Sequence, residues 1–128
     1  VNHKRLAKYR EALMARPPKI ELPYAVRDAG IAEFQFLLDF GSFRDIQRQR
    51  AISLRMPLLT DHHGFESWYL TELPERLHER AKDTIQTQLG KIQALGLSDV
   101  LKQYYLPMGF RTVVRFTGDI RALVYLVE

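Results

Sequence analysis

Leu77, Ala81, Ile85, Leu89, Ile92 and Leu95 recur at three- and four-residue spacing between Leu73-Pro74 and Gly96. That period places all six on one side of a helix, and no other pattern in the chain is as long. The glycine supplies the stop. Farther on, "FRTVVRF" alternates and is rich in β-branched residues, which predicts a strand. "AEFQFLLDF" alternates too, with Phe34, Phe36 and Leu38 set against Glu33, Gln35, Leu37 and Asp39, and reads as a strand with a helix as the alternative. A long amphipathic helix between strands predicts an α+β chain: mixed helices and a small, mainly antiparallel sheet.

The remaining elements are shorter. Asn2 can cap a first helix carrying Leu6, Tyr9, Leu13 and Met14, which Pro17-Pro18 ends. "KIELPYAVRDAG" reads as irregular, punctuated by Pro23 and Gly30. Ser42 and Asp45 have capping-box spacing and predict a helix from about Phe43 to Arg50. "AISL" suggests a short strand, "DHHG" a turn, and Ser98 a capped helix through Tyr105. "LPMG" turns the chain, and Thr117-Gly118-Asp119 caps a last helix, "IRALVYLVE".

With 128 residues, a single domain spanning 1–128 is expected, large enough for its own core. The chain begins on Val1 and stops within an apolar pattern. It is therefore expected to be a piece of a longer protein, truncated at its C-terminus, with part of any active site outside it. No cysteine is present, so disulfides, thiolate metal sites and a cysteine nucleophile are excluded, and a reducing compartment fits. No apolar run approaches the ~20 residues that span a bilayer, and no signal peptide is visible, so no membrane partner is expected.

The net charge is +4, but Lys4, Arg5, Lys8, Arg10, Arg16 and Lys19 against Glu11 put +5 in the first twenty residues. The rest carries −1. A nucleic-acid-binding domain needs a basic face over its structured surface, so no nucleic-acid partner is expected. The basic N-terminal charges read as a solvated helix face.

Specific chemistry is sparse. His62 and His63 are adjacent beside Asp61, a spacing that suits a polar turn rather than a metal, and His3 and His78 are isolated and read as surface. No G-x-S-x-G elbow and no G-x-x-x-x-G-K loop occurs. What stands out is "FGSFRDIQRQRAISLR", Phe40 to Arg55, with four arginines. Arg44 and Arg48 share a helical face, and Arg50 lies roughly 200° beyond Arg48. Arg48 and Arg50 can converge only where the helix ends. Two readings stay open on spacing: compensation of the helix's negative end with pairing to Asp45, or a guanidinium fork for a phosphate or carboxylate.

"RDIQRQR" followed by "LPMGFRTVVRFTGDIRALVYLVE" resembles the flavin-dependent thymidylate synthases. That family carries a pattern like R-Q-x-x-R-H-R whose end contacts FAD. It later carries a leucine-proline, a short strand and a stretch like T-x-N-x-R-x-L. Leu106-Pro107, then Thr117, Asp119, Arg121 and Leu123, stand in that order and spacing, and the resemblance runs from Glu33 to the C-terminus. It implies an α+β fold and self-association as a dimer or tetramer, with FAD at subunit junctions. The implied reaction methylates dUMP to dTMP, with methylenetetrahydrofolate supplying carbon and NADPH supplying hydride through the flavin. It needs no protein nucleophile, and it implies a cytoplasmic setting.

The implied cofactor residues are Arg48, Gln49, Arg50, Asp119 and Arg121, and the implied substrate residues Arg55 and Thr60; no metal is implied. Departures are visible. Gln49 stands for the family histidine and Asp119 for an asparagine. "RMPLLTD" replaces the nucleotide-binding N-E-x-S-x-R-Y segment. Val100 and Gln103 stand where a glutamate and an arginine are usual. The alternative expectation is a non-catalytic domain of the same fold with a structural or oligomerisation role in a longer protein. Acting alone, this piece is expected to be inactive.

Overall fold

A computed structural model describes residues 1–17 and 19–128. Its elements follow the order α1 (His3–Ala7), α2 (Arg10–Ala15), a 3-10 turn (Tyr24–Ala29), β1 (Ile31–Asp39), α3 (Phe40–Ile46), β2 (Ser53–Arg55), α4 (Trp68–Thr71), a second 3-10 turn (Glu75–Leu77), α5 (His78–Ala94), α6 (Asp99–Lys102), β3 (Arg111–Asp119) and α7 (Ile120–Val127). The strands form one sheet in the order β1-β3-β2. β2 runs antiparallel to β3, setting Ser53 against Thr117, Leu54 against Phe116 and Arg55 against Arg115. β1 is antiparallel to β3 as well. Thr117 donates to Glu33 near one end, and the Phe40 amide donates to the Phe110 carbonyl past the other. The α+β class and the small antiparallel sheet are as the sequence predicts.

The chain divides into two compact units interleaved along its length. One comprises Val1–Phe36, Ile46–Arg55 and Arg115–Glu128; the other comprises Leu37–Asp45 and Met56–Val114. In the second unit Leu59, Ile92, Leu106 and Phe110 form a buried cluster joined by Phe40, Met56, Phe65, Ile85 and Leu89. Ile85, Leu89 and Ile92 come from the α5 stripe, whereas Leu95, the last of that stripe, is exposed because the helix ends at Ala94. Gly96 turns the chain there with φ of 60°, a conformation that penalises any Cβ. A Cβ at Gly109 would lie 2.4 Å from Cζ of Phe65. The bare glycine therefore lets that ring pack edge-on against Phe110.

In the first unit Val26, Ala29, Ile52, Phe116 and Leu123 are buried. Phe36 stacks on Phe116 at 4.7 Å between ring centroids. Burying a ring or branched side chain of this kind contributes roughly 1.5–3 kcal/mol. α7 and α1 both pack against the first 3-10 turn.

Several local expectations are corrected. The first helix is two, broken at Tyr9; Asn2 does cap α1, its side chain accepting from the Arg5 amide at 3.1 Å. α2 ends at Ala15, and Pro18 lies outside the described residues. The segment before Gly30 contains a 3-10 turn rather than irregular chain, opened at Pro23, whose carbonyl accepts from the Val26 amide at 3.0 Å. α3 starts at Phe40 and ends at Ile46, not Phe43 to Arg50. Its cap is Asp39, whose Oδ1 accepts from the Ser42 amide at 2.9 Å. Ser42 itself sits inside the first turn. α4, over "WYLT", has too short a pattern to be read. α6 stops at Lys102, short of Tyr105. His78 is half-buried, its Nε2 2.8 Å from the Leu73 carbonyl oxygen. Among the described residues no helix is long and apolar enough to cross a membrane, and no cluster of acidic and histidine side chains could hold a metal.

Candidate functional site

The first unit contains a cleft of about 760 Å³. α7 forms one wall, with Asp119, Arg121, Ala122, Val124, Tyr125, Leu126 and Glu128. The segment between α2 and the first 3-10 turn supplies Arg16, Lys19, Ile20, Glu21 and Leu22; Arg27, Gln49 and Ala51 complete the lining. The cleft therefore combines an aliphatic and aromatic surface with four cationic and three anionic side chains.

Its wall depends on how α7 starts. β3 runs directly into the helix at Asp119, which is extended (φ −69°, ψ 159°) and accepts the Ala122 amide on Oδ1 at 2.9 Å. That satisfies one of the helix's free amides. The other oxygen, Oδ2, lies 3.3 Å from Arg27 Nε. Arg27 also donates to the Tyr24 hydroxyl at 2.9 Å. The Tyr24 hydroxyl first, then the charge of Asp119, hold the Arg27 guanidinium above its ordinary pKa.

Arg121, two residues into the helix, is fixed from two sides. Nε donates to the Leu22 carbonyl at 3.1 Å and Nη2 to Glu21 Oε2 at 2.7 Å. The guanidinium also lies over the Tyr24 ring, 5.6 Å from its centroid. Arg16 bonds the Ile20 carbonyl and the Glu128 carboxylate. Arg16, Arg27 and Arg121 thus each face a carboxylate of this unit. Lys19 makes no ion pair among the described residues.

Of the residues singled out from sequence, Gln49, Asp119 and Arg121 come together on this cleft. Gln49 is held through its backbone, its amide donating to the Ile46 carbonyl and its carbonyl accepting from Ile52. Arg48 and Arg50 are exposed on the turn after α3 and are not among the lining residues. Because α3 stops at Ile46, the two arginines belong to no helical face. Arg55 is exposed on β2, directly across from Arg115. Thr60 is half-buried and belongs to the other unit.

Sequence reading missed Arg16, Lys19, Glu21, Arg27 and Glu128 as cleft residues. The pairs Glu21–Arg121 and Arg16–Glu128 join positions 100 and 112 residues apart, so no local pattern could reveal them. Lys4, Arg5, Lys8 and Arg10 are exposed, as a solvated face requires, whereas Arg16 is drawn into the cleft by its pair with Glu128.

No family model matches the chain. It is 30% identical over 97 residues to a UPF0159 protein of Chlamydia pneumoniae, a match covering 74% of this chain and 18% of that one. It is 28% identical over 99 residues to a UPF0159 protein of Thermoplasma acidophilum, covering 74% and 19%. The chain thus spans less than a fifth of the length of these relatives. Among solved structures, it is similar to thymidylate synthase X of Helicobacter pylori, determined with FAD and dUMP. The TM-score is 0.49 and the identity 17%, covering 73% of this chain and 54% of that one.

Proposed function

We propose that this chain is a flavin-dependent thymidylate synthase-like domain and that its cleft receives FAD. The observation that carries the reading is the meeting of Gln49, Asp119 and Arg121, drawn from two separate motifs, on one cleft. The lining suits a flavin dinucleotide in kind. Ile20, Leu22, Val124 and Tyr125 offer apolar area for a ring, and Arg121 and Lys19 offer positive charge for a diphosphate. The Gln49 amide can both donate to and accept from the polar edge of a ring.

On this reading the whole protein methylates dUMP to dTMP with methylenetetrahydrofolate and NADPH, and it acts as a dimer or tetramer. The bound flavin supplies the hydride chemistry. The chain's own residues bind and orient. Arg121, anchored by the Leu22 carbonyl, presents Nη2 to an anion. Asp119 fixes the start of α7, and with it the placement of Arg121. Arg48 and Arg50, exposed on either side of Gln49, supply charge to ligand atoms outside the cleft. Arg55 is the candidate for the nucleotide phosphate; Thr60 lies in the other unit, and the reading does not rest on it.

One observation favours a second reading, a non-catalytic domain of the same fold with a structural or oligomerisation role. The three arginines of the cleft already face carboxylates. Titration of the purified chain with FAD, followed by flavin fluorescence, separates the two. The first reading expects saturable binding, weakened about tenfold or more by Arg121→Gln, which removes a charge-assisted hydrogen bond. Replacing Arg48 and Arg50 together with alanine should weaken binding while leaving the melting temperature nearly unchanged. A chain that ignores FAD supports the second reading.

A further inference from the structure

Glu21 is the least buried member of the cleft's ion pairs, its side chain 83% exposed against 30% for Arg121. Arg121 uses its two sides differently. Nε holds the backbone of the α2-to-turn segment through the Leu22 carbonyl, and Nη2 reaches the Glu21 carboxylate at 2.7 Å. An incoming anion can take the Nη2 side without disturbing the Nε side. Glu21 needs only a side-chain rotation to leave, because the described residues give its carboxylate no partner other than Arg121.

We propose that Glu21 is an internal competitor: it occupies the anion subsite on Arg121 until a phosphate-bearing ligand displaces it, and so sets the affinity of the cleft for such ligands. The subsite rests on the cleft assigned above, but the competition concerns any phosphate or diphosphate group. Glu128 does not play this part. It faces Arg16, which is tied back to the Ile20 carbonyl and whose side chain is only 12% exposed. Asp119 does not either, since its Oδ1 is committed to the α7 amide. Among the described ion pairs of the cleft, Glu21 has the most exposed carboxylate, and it faces a guanidinium that the Leu22 carbonyl already holds in place.

The pair is half in solvent, so its loss should be felt as a modest factor. Calorimetric titration of the 128-residue chain with inorganic pyrophosphate tests the idea. Glu21→Gln should bind about three- to fivefold more tightly than the unmodified chain. Arg121→Gln should lose most of the affinity, and Glu21→Gln should bring no gain in the Arg121→Gln background. Three results would each overturn the proposal: no gain from Glu21→Gln, an equal gain with and without Arg121, or no pyrophosphate binding by either form. Parallel titrations with FAD keep the two claims apart. If pyrophosphate behaves as described and FAD does not bind, the cofactor reading fails and the competition stands. If FAD binds with an affinity indifferent to Glu21, the competition fails and the cofactor reading stands.

Discussion

Two nine-residue strands in this chain end on an aspartate that caps the following helix, and the two junctions are put to different use. At β1–α3, Asp39 is 5% exposed. It accepts from the Ser42 amide at 2.9 Å and from the Tyr69 hydroxyl at 2.8 Å. Its partners are neutral. Burial alone would raise its pKa, but the hydrogen bonds from Ser42 and Tyr69 outweigh that and hold it below the ordinary value. The same bond to Asp39 is the main cause that raises the Tyr69 hydroxyl. At β3–α7, Asp119 makes the same bond to an amide but keeps 21% of its side chain exposed and turns its second oxygen to Arg27. One aspartate completes an interior; the other places charge on the wall of a cleft. A shared cap therefore says how a helix starts and leaves open whether the residue serves stability or binding. The surrounding partners decide that.

The contrast breaks most visibly on truncation. Asp39→Ala should cost about 3 kcal/mol, because it removes a cap and leaves the Tyr69 hydroxyl and the Ser42 amide without their acceptor in a poorly hydrated place. Asp119→Ala should cost only about 1 kcal/mol, the ordinary worth of a cap, since water can reach what is left. Denaturant unfolding of both variants measures the difference, and equal losses would remove the distinction.

Acid provides a finer probe. The folded-state pKa of Asp39 is depressed, so its contribution is fully present above the unfolded value of about 3.9 and fades as pH falls through the lower folded value. Asp39→Asn should therefore flatten the stability curve on the acid side, below about pH 5, with little change in its slope at neutral pH. The smallest effect belongs to Asp119→Asn. It keeps an acceptor for the Ala122 amide and loses only the attraction to Arg27, whose side chain is 56% exposed. The expected cost is slight, read as a small shift in melting temperature.

These junctions also indicate what the sequence could carry. Alternation identified β1 and β3, and the three- and four-residue period identified α5, because one buried face leaves a repeating trace. Asp119 is legible as a cap because Thr117-Gly118-Asp119 stands directly ahead of the apolar pattern of the last helix. Asp39 was not. Gly41-Ser42 reads as a boundary and Ser42 followed by Asp45 as the better start, whereas the helix begins on Phe40 and tucks Gly41 beside the Asp39 and Tyr69 oxygens. The motif residues Gln49, Asp119 and Arg121 were visible from local order. Their partners Glu21 and Arg27 were not, because long-range ion pairs leave no period and no spacing. Arg48 and Arg50 stand out in the sequence and lie off the cleft for a local reason: α3 ends at Ile46, two residues before Arg48 and four before Arg50.

The claim that most needs measurement is that the cleft holding Gln49 and Arg121 takes a flavin dinucleotide. Titrating FAD into the purified chain and into Arg121→Gln, with flavin fluorescence as the signal, addresses it directly. Saturable binding that weakens about tenfold or more in the variant is the predicted result. A chain that leaves flavin fluorescence unchanged at high micromolar FAD, or that binds it equally well without the arginine, would contradict it.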